Sequence, residues 1–381
     1  MKTITLRYPK QITFGSNSIN NFIEDYLQLS YKRLFVVTFP EILQALENNF
    51  NKLRGEGIGI FIDTSITSEP TYKTFAEVLQ HAEDVHADSV IGIGGGSSLD
   101  VAKLVAAQLN NNQSIEEIIG IGKLKQRATF LACLPTTAGT GSEVSPNAIL
   151  LDESDSLKKG SVSPYLVADA AYIDPVLTYS VPPQVTAATG MDALTHCIEE
   201  YTNRFAHPMV DVYALEGIKL IGANLIDAYK NGKNSEAREK VALGSLYGGL
   251  GLGTVNTAAV HALSYPLGGE FHIAHGLSNA VLLPYVMKFN MSAAPERYAQ
   301  VAIALGVEKQ EDDLTTAGKG VDKIFEMCSA LDIPVRLSEL GIPENAIEQM
   351  VEGAMKVTRL LKNNPRAMTK EDARNIYFEA Y

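Results

Sequence analysis

The first half of the chain alternates short apolar runs with amphipathic stretches. RLFVVTF (33–39), GIGIFI (57–62), DSVIGIG (88–94) and TFLACLP (129–135) have the length and β-branched content of strands. AEVLQHAEDV and LDVAKLVAAQL, lying between them, carry apolar residues at helical spacing. Strands alternating with helices predict a mostly parallel sheet covered on both faces. MKTITLRYPKQITFG (1–15) alternates as a further strand would. From Pro182-Pro183 onward the pattern becomes helical. DVYALEGIKLIGANLIDAYKNG closes on Asn231-Gly232, IPENAIEQMVEGAM has a proline near its first turn, and Thr369 with Asp372 predicts a capping box. No strand is expected after about residue 180, so residues 1–180 read as an α/β domain and 181–381 as an all-α domain.

Composition narrows the function. A chain of 381 residues, 46% hydrophobic, can fill two cores. A net charge of −12 disfavours broad nucleic-acid binding and attraction to anionic membranes. Cys133, Cys197 and Cys328 are odd in number, far apart and free of CxxC pairing, so they read as reduced intracellular thiols. No signal-peptide core is visible, and no apolar run reaches the ~18 residues of a membrane span. The expectation is a soluble cytoplasmic protein.

IGIGGGSSLDVAK (91–103) runs from an apolar strand through glycines into a helix. Glycines let backbone N–H groups approach an anion, and a helix N-terminus adds partial positive charge, which suits a pyrophosphate. The stretch is neither GxGxxG, since position 97 is Ser, nor a P-loop, since no GK[ST] follows. The alternative is a tight strand-to-helix turn capped by Ser97 or Ser98. LPTTAGTGSEV (134–144) offers hydroxyls after the next strand-like run, suited to phosphate and ribose oxygens, or simply to Ser/Thr turns. Two such loops at the ends of successive strands favour a nucleotide and a Rossmann-like sheet.

TGMDALTHCIEEY (189–201) sets Asp192 and His196 four residues apart on one helical face, a spacing that suits two ligands on one ion. A plain helix-surface Asp–His pair is the alternative. HALSYPLGGEFHIAHG (261–276) holds three of the seven histidines, and Pro266 with Gly268-Gly269 is expected to break the helix between them. One carboxylate with imidazoles suits Fe(II), Zn or another divalent first-row metal.

GGGSSLD, PTTAGTGSE, GMDALTHCIEEY, HALSYPLGGEFHIAHG and NPRAMTKED, in this order, resemble the signature blocks of the iron-containing (group III) alcohol dehydrogenases along essentially the whole chain. The resemblance implies a nucleotide-binding α/β domain and an all-helical metal domain, with hydride transfer between a nicotinamide, NAD or NADP, and a small alcohol or aldehyde. It implies Asp192, His196, His261 and His275 as metal ligands, with His272 a neighbour outside the set. It also implies Gly95, Gly96, Ser97, Asp100, Thr136, Thr137, Thr140, Lys159 and Leu177 as cofactor-site residues, and a homodimer.

The chain departs from many members at Tyr265, often His, at Phe39, often Asp, and at Glu69, often Asn. Tyr265 and His272 are the candidates for passing the alcohol proton, and Phe39 would lie at the adenosine ribose. His81 and His86 read as solvent-side helix residues, and His207 has no evident role. The absence of Arg from the Asp192 and histidine blocks favours a small uncharged substrate. Related readings on the same scaffold are a maleylacetate reductase, a polyol dehydrogenase and a dehydroquinate synthase-like lyase. A metal-dependent hydrolase would leave the two phosphate-type loops unexplained, and a non-catalytic nucleotide binder would leave the ligands unexplained.

Overall fold

A computed structural model describes residues 3–154 and 157–381. The chain divides into two compact units. One comprises Leu6–Thr137 and Ser142–Tyr179; the other comprises Ala138–Gly141 and Ser180–Tyr381, with residues 3–5.

The first unit holds strands β1 (Gln11–Phe14), β2 (Arg33–Val37), β3 (Gly59–Asp63), β4 (Ser89–Gly94), β5 (Gly120–Ile121), β6 (Phe130–Pro135), β7 (Asn147–Asp152), β8 (Leu157–Val162) and β9 (Ala170–Ile173). Its helices are α1 (Ile19–Leu27), α2 (Leu43–Gly55), α3 (Tyr72–Asp84), α4 (Gly96–Gln108) and the single turn α5 (Ile115–Ile118). Six strands form one sheet in the order β1-β9-β6-β4-β2-β3, every pairing parallel. Alternate residues of β2 go to opposite cores: Leu34 and Val36 pack with α1 and α2, Phe35 and Val37 with α3 and α4. This two-sided burial is why the strands read as unbroken apolar runs.

Four features of this unit differ from the sequence reading. The first strand covers only Gln11–Phe14, because the alternation before Pro9 finds no partner strand among the described residues. A second sheet, β5-β8-β7, lies outside the strands expected from the sequence; its β7, NAILLD, buries Ala148 and Leu150 and pairs antiparallel with the polar β8, LKKGSV. His81 is half-buried rather than solvent-facing: Nδ1 lies 2.8 Å from Asp63 Oδ2, and the ring meets Phe35 edge-on. His86 is exposed but lies in the turn beyond α3, with φ at 49°.

The second unit is helical: α6 (Pro183–Thr202), α7 (Pro208–Lys230), α8 (Ser235–Leu252), α9 (Ala259–Phe271), α10 (His275–Asn290), α11 (Pro295–Ala304), α12 (Asp313–Ala330), α13 (Ile347–Met355), α14 (Thr358–Leu361) and α15 (Lys370–Glu379). His207 caps α7, its ring accepting the Met209 N–H, and Thr369 with Asp372 forms a capping box on α15. The expected break at Pro266 and Gly268-Gly269 does not occur; α9 runs through all three. Helix burial outweighs the lost N–H here, since Pro266 and Leu267 are both packed inside. The chain breaks instead at His272, which takes a left-handed φ of 55° as the C-cap.

Helix α6 is the centre of this unit and is buried along nearly all of Thr186–Thr202. Asp192, His196 and Glu199 sit on that helix without water to solvate them, so each needs a partner. No helix among the described residues is long and apolar enough to cross a membrane.

Candidate metal centre and nucleotide loops

Three imidazoles converge on one carboxylate oxygen. Asp192 Oδ1 lies 3.8 Å from His196 Nε2, 3.6 Å from His261 Nε2 and 3.7 Å from His275 Nε2. Three elements supply them: α6 gives Asp192 and His196 one turn apart, α9 gives His261, and α10 begins at His275. The tightest group is Asp192, His261 and His275, whose donor atoms lie within 4.8 Å of one another. His196 stands beside it, its ring stacked on that of His261 at 4.8 Å. Asp192, His196 and His261 are buried, whereas the His275 side chain is 32% exposed, so the cluster opens to solvent on that side.

Around this cluster the chain fixes each group. Glu199 Oε2 lies 2.6 Å from His261 Nδ1, and Glu199 Oε1 accepts the Val260 N–H at 2.6 Å. Asn279 Nδ2 donates to Asp192 Oδ1 at 2.7 Å and lies 3.1 Å and 3.3 Å from the Nε2 atoms of His261 and His275. Burial works against the Asp192 carboxylate, but the three imidazoles around it, His196, His275 and His261, outweigh it and hold its pKa well below the ordinary range. His196 is pushed down to about 4 by burial, which leaves it neutral, the ligating form. His261 resists burial because its hydrogen bonds to Asp192 and Glu199 raise it to about 9. Two carboxylates flanking one imidazole favour a positive charge there, whether a proton or a metal ion.

The expected proton carriers are placed differently from each other. The Tyr265 ring lies 6.3 Å from that of His275, and its hydroxyl accepts a hydrogen bond from Arg359 Nη2 at 2.8 Å. His272 is exposed on the bend between α9 and α10.

In the α/β unit, β4 and β6 run side by side with Gly94 level with Pro135, so their loops leave the same end of the sheet. Thr136 N–H donates to Gly94 O at 2.9 Å. Gly92 and Gly94 let α4 press against β4: a Cβ on Gly92 would meet Ala102 Cβ at 2.8 Å, and one on Gly94 would meet Ser98 Oγ at 2.6 Å. Gly95 caps α4 without a side-chain hydrogen bond, and a Cβ there would only touch Thr137, at 3.5 Å. Phe39 stands at the same turn, 3.6 Å from where a Cβ on Gly94 would lie. The N-terminus of α4, Ser97, Thr136, Thr137 and Phe39 thus come from one end of the sheet, and backbone N–H groups at a helix start suit an anion.

The remaining cofactor candidates lie elsewhere. Asp100 is occupied by the chain itself: Oδ1 accepts from Ser142 Oγ, and Oδ2 accepts the Ile149 N–H at 2.9 Å. Fully buried Lys103 donates to Ser142 Oγ at 2.9 Å and to Asn147 O at 2.6 Å. Burial raises the Asp100 pKa and lowers that of Lys103. Lys159 pairs with Asp152 on the β7–β8 hairpin, and Leu177 is part of the core beneath α1 and α2. Thr140 belongs with the helical unit, where Gly141 takes φ +61° and a Cβ on it would strike Gly249 Cα at 2.3 Å.

Four residues of these sites were not read from the sequence. Glu199 continues the α6 stripe, seven residues after Asp192, and Asn279 is one turn after His275, so both carried a spacing signal. Lys103 looked like one helical residue among many. Arg359 reaches Tyr265 from 94 residues away, which no local pattern reveals.

Comparison with known proteins gives the same answer from both halves. Residues 9–175 match the family described as iron-containing alcohol dehydrogenase, and residues 186–381 match the C-terminal part of the Fe-containing alcohol dehydrogenase family. The chain belongs to the iron-containing alcohol dehydrogenase family. As such it is an oxidoreductase. Long-chain-alcohol dehydrogenase 1 of Geobacillus thermodenitrificans is 36% identical, over 100% of this chain and 98% of that protein. A solved 1,3-propanediol oxidoreductase superposes with a TM-score of 0.96 at 31% identity, covering 100% of both chains. A sulfoacetaldehyde reductase from Bifidobacterium kashiwanohense, solved in complex with NAD+, superposes with a TM-score of 0.90 at 28% identity, covering 100% of this chain and 99% of that one. These relatives are named for chemically different substrates, so family membership leaves the substrate of this chain open.

Proposed function

We propose that this chain interconverts short aldehydes and alcohols, holding a divalent ion, iron first, on Asp192, His196, His261 and His275 and a nicotinamide dinucleotide on the turn before α4. The observation that carries this reading is the convergence of three Nε2 atoms on Asp192 Oδ1. We read residues 1–180 as the dinucleotide half and 181–381 as the metal half of a cytoplasmic homodimer.

The residues fit the ion. One carboxylate oxygen and three imidazole nitrogens form a hard-to-borderline donor set that accepts Fe(II), Zn and similar ions. Glu199 holds the His261 ring by Nδ1, which turns Nε2 toward Asp192 and the other ligands. Asn279 Oδ1 and His196 Nδ1, both buried, have no hydrogen-bond partner among the described residues, so the polar shell is not closed by the chain alone. When bound, the ion supplies Lewis acidity toward the substrate oxygen and the nicotinamide supplies or accepts the hydride.

The chain's own residues bind and orient. The N–H groups at the start of α4, with Gly95, Gly96 and Ser97, take the pyrophosphate; the hydroxyls of Thr136 and Thr137 stand at the neighbouring strand end. Thr140, Lys159 and Leu177 complete the cofactor set by family resemblance, and Asp100 acts by fixing Ser142 and Ile149. Tyr265 accepts from Arg359, so its own O–H hydrogen is free to donate toward a substrate oxygen. His272, exposed at the end of the same helix, exchanges that proton with solvent.

Elemental analysis after anaerobic Fe(II) reconstitution tests the ligand set. About one ion per chain is expected, lost in His261→Ala and His275→Ala but retained in His272→Ala. Full metal in the first two variants would refute the assignment.

A further inference from the structure

Arg359, separated from the donor cluster by the Tyr265 ring, meets no carboxylate among the described residues. Arg359, on α14, donates from Nη2 to Tyr265 Oη at 2.8 Å, and its Cζ lies 5.9 Å from the centre of that ring. The ring lies 6.3 Å from that of His275, the solvent-facing member of the cluster. Among the described residues no Asp or Glu pairs with Arg359, although the chain carries a net charge of −12. Lys356 and Lys362, three positions to either side, are exposed, so KVTRLLK (356–362) is a basic segment in an acidic chain.

A guanidinium presents five N–H donors in a planar fork that matches a carboxylate or sulfonate. Tyr265 takes one of them and holds the plane near its ring; among the described residues none of the others meets a carboxylate. An unpaired, half-buried cation is unfavourable unless something brings the opposite charge. We propose that the substrate does so: Arg359 takes the anionic end of a short aldehyde whose carbonyl end lies at the donor cluster. The substrate class is then an aldehyde or alcohol carrying a carboxylate- or sulfonate-type group at the far end of a chain of a few carbons. Two separations lie between the ends, 6.3 Å from the His275 ring to the Tyr265 ring and 5.9 Å from that ring to Arg359 Cζ, so the substrate would lie along Tyr265. This replaces the uncharged substrate expected from the sequence, and it rests on the aldehyde reading of the site.

Butanal and 4-oxobutanoate, matched in carbon number, separate the possibilities. Wild-type kcat/KM should favour 4-oxobutanoate by about tenfold or more, and Arg359→Leu should lose about ten times more on 4-oxobutanoate than on butanal, mostly through KM. Arg359→Lys, which keeps the charge but not the fork, should fall between them. Calorimetry gives an activity-free reading: wild type should bind 4-hydroxybutanoate more tightly than Arg359→Leu, with 1-butanol showing no such difference. A wild-type preference for butanal overturns the proposal, and so do equal losses on both aldehydes, which would make Arg359 only a positioning residue for Tyr265. If neither aldehyde is turned over, the aldehyde reading of the site fails, and the calorimetric difference alone then upholds or overturns the anion contact.

Discussion

Glu199 and His261 are locked together, Oε2 to Nδ1 at 2.6 Å, while the other oxygen of Glu199 takes the Val260 N–H beside it. The carboxylate thus fixes both the ring and the backbone that carries it. Glu199→Gln keeps the shape but removes the charge behind the ring, and metal affinity should drop about 10-fold to 100-fold. Competition against a chelating dye measures this without any turnover. Unchanged affinity in a folded variant would show that His261 needs no such support.

Gly95 separates binding from folding. Its φ of −75° suits any residue, and an added Cβ would touch only Thr137, at 3.5 Å. Gly95→Ala should therefore melt close to wild type, yet crowd the backbone where phosphate oxygens must approach. Dinucleotide affinity should weaken about tenfold or more, roughly 1.4 kcal/mol, with metal content unchanged. Equal affinity by fluorescence titration would move the pyrophosphate elsewhere.

Much of this arrangement was legible in the chain because its signals are local. The β4 run, the glycines after it and the Asp192–His196 spacing each fit within one element and its turn. Pro266 misled because its effect depends on context: a proline disfavours a helix locally, but α9 is packed on enough sides to run through it. The β7–β8 pair is less legible because β7 is a short apolar run, Ala148–Leu151, while its partner β8, LKKGSV, is polar and is made a strand by the pairing itself. Arg359 was invisible for the same kind of reason, its partner lying on a different helix.

Phe39 stands at the glycine turn, where a carboxylate would have contacted the ribose and repelled a 2′-phosphate. Its ring does neither, and Thr38, Pro40 and Glu41 bring no local cation. Weak discrimination between NAD and NADP follows, within about tenfold, leaning to NAD. Phe39→Asp should sharpen the NAD preference by weakening NADP. A wild-type ratio of kcat/KM beyond about a hundredfold either way would mean that another residue reads that position.

Glu143 gives the α/β unit a pH dependence. Burial raises its carboxyl pKa from 4.5 to about 7. Between those values the folded chain keeps a proton that the unfolded chain has released, so stability falls as pH rises through this window and levels off above it. The full effect is up to about 3 kcal/mol. Glu143→Gln has no charge to bury, so it should exceed wild type in urea midpoint at about pH 8 and match it near the unfolded pKa. Parallel pH profiles for the two proteins would contradict this.

The central proposal is an ion at Asp192, His196, His261 and His275 that acts with a nicotinamide on one substrate. The direct measurement is the aldehyde-dependent loss of NADH absorbance by Fe(II)-reconstituted protein, followed through chelation and readdition of Fe(II). Turnover should vanish with the metal and return with it, and no turnover should reappear in His261→Ala at the same added Fe(II). Full turnover by protein shown to be metal-free would contradict the account.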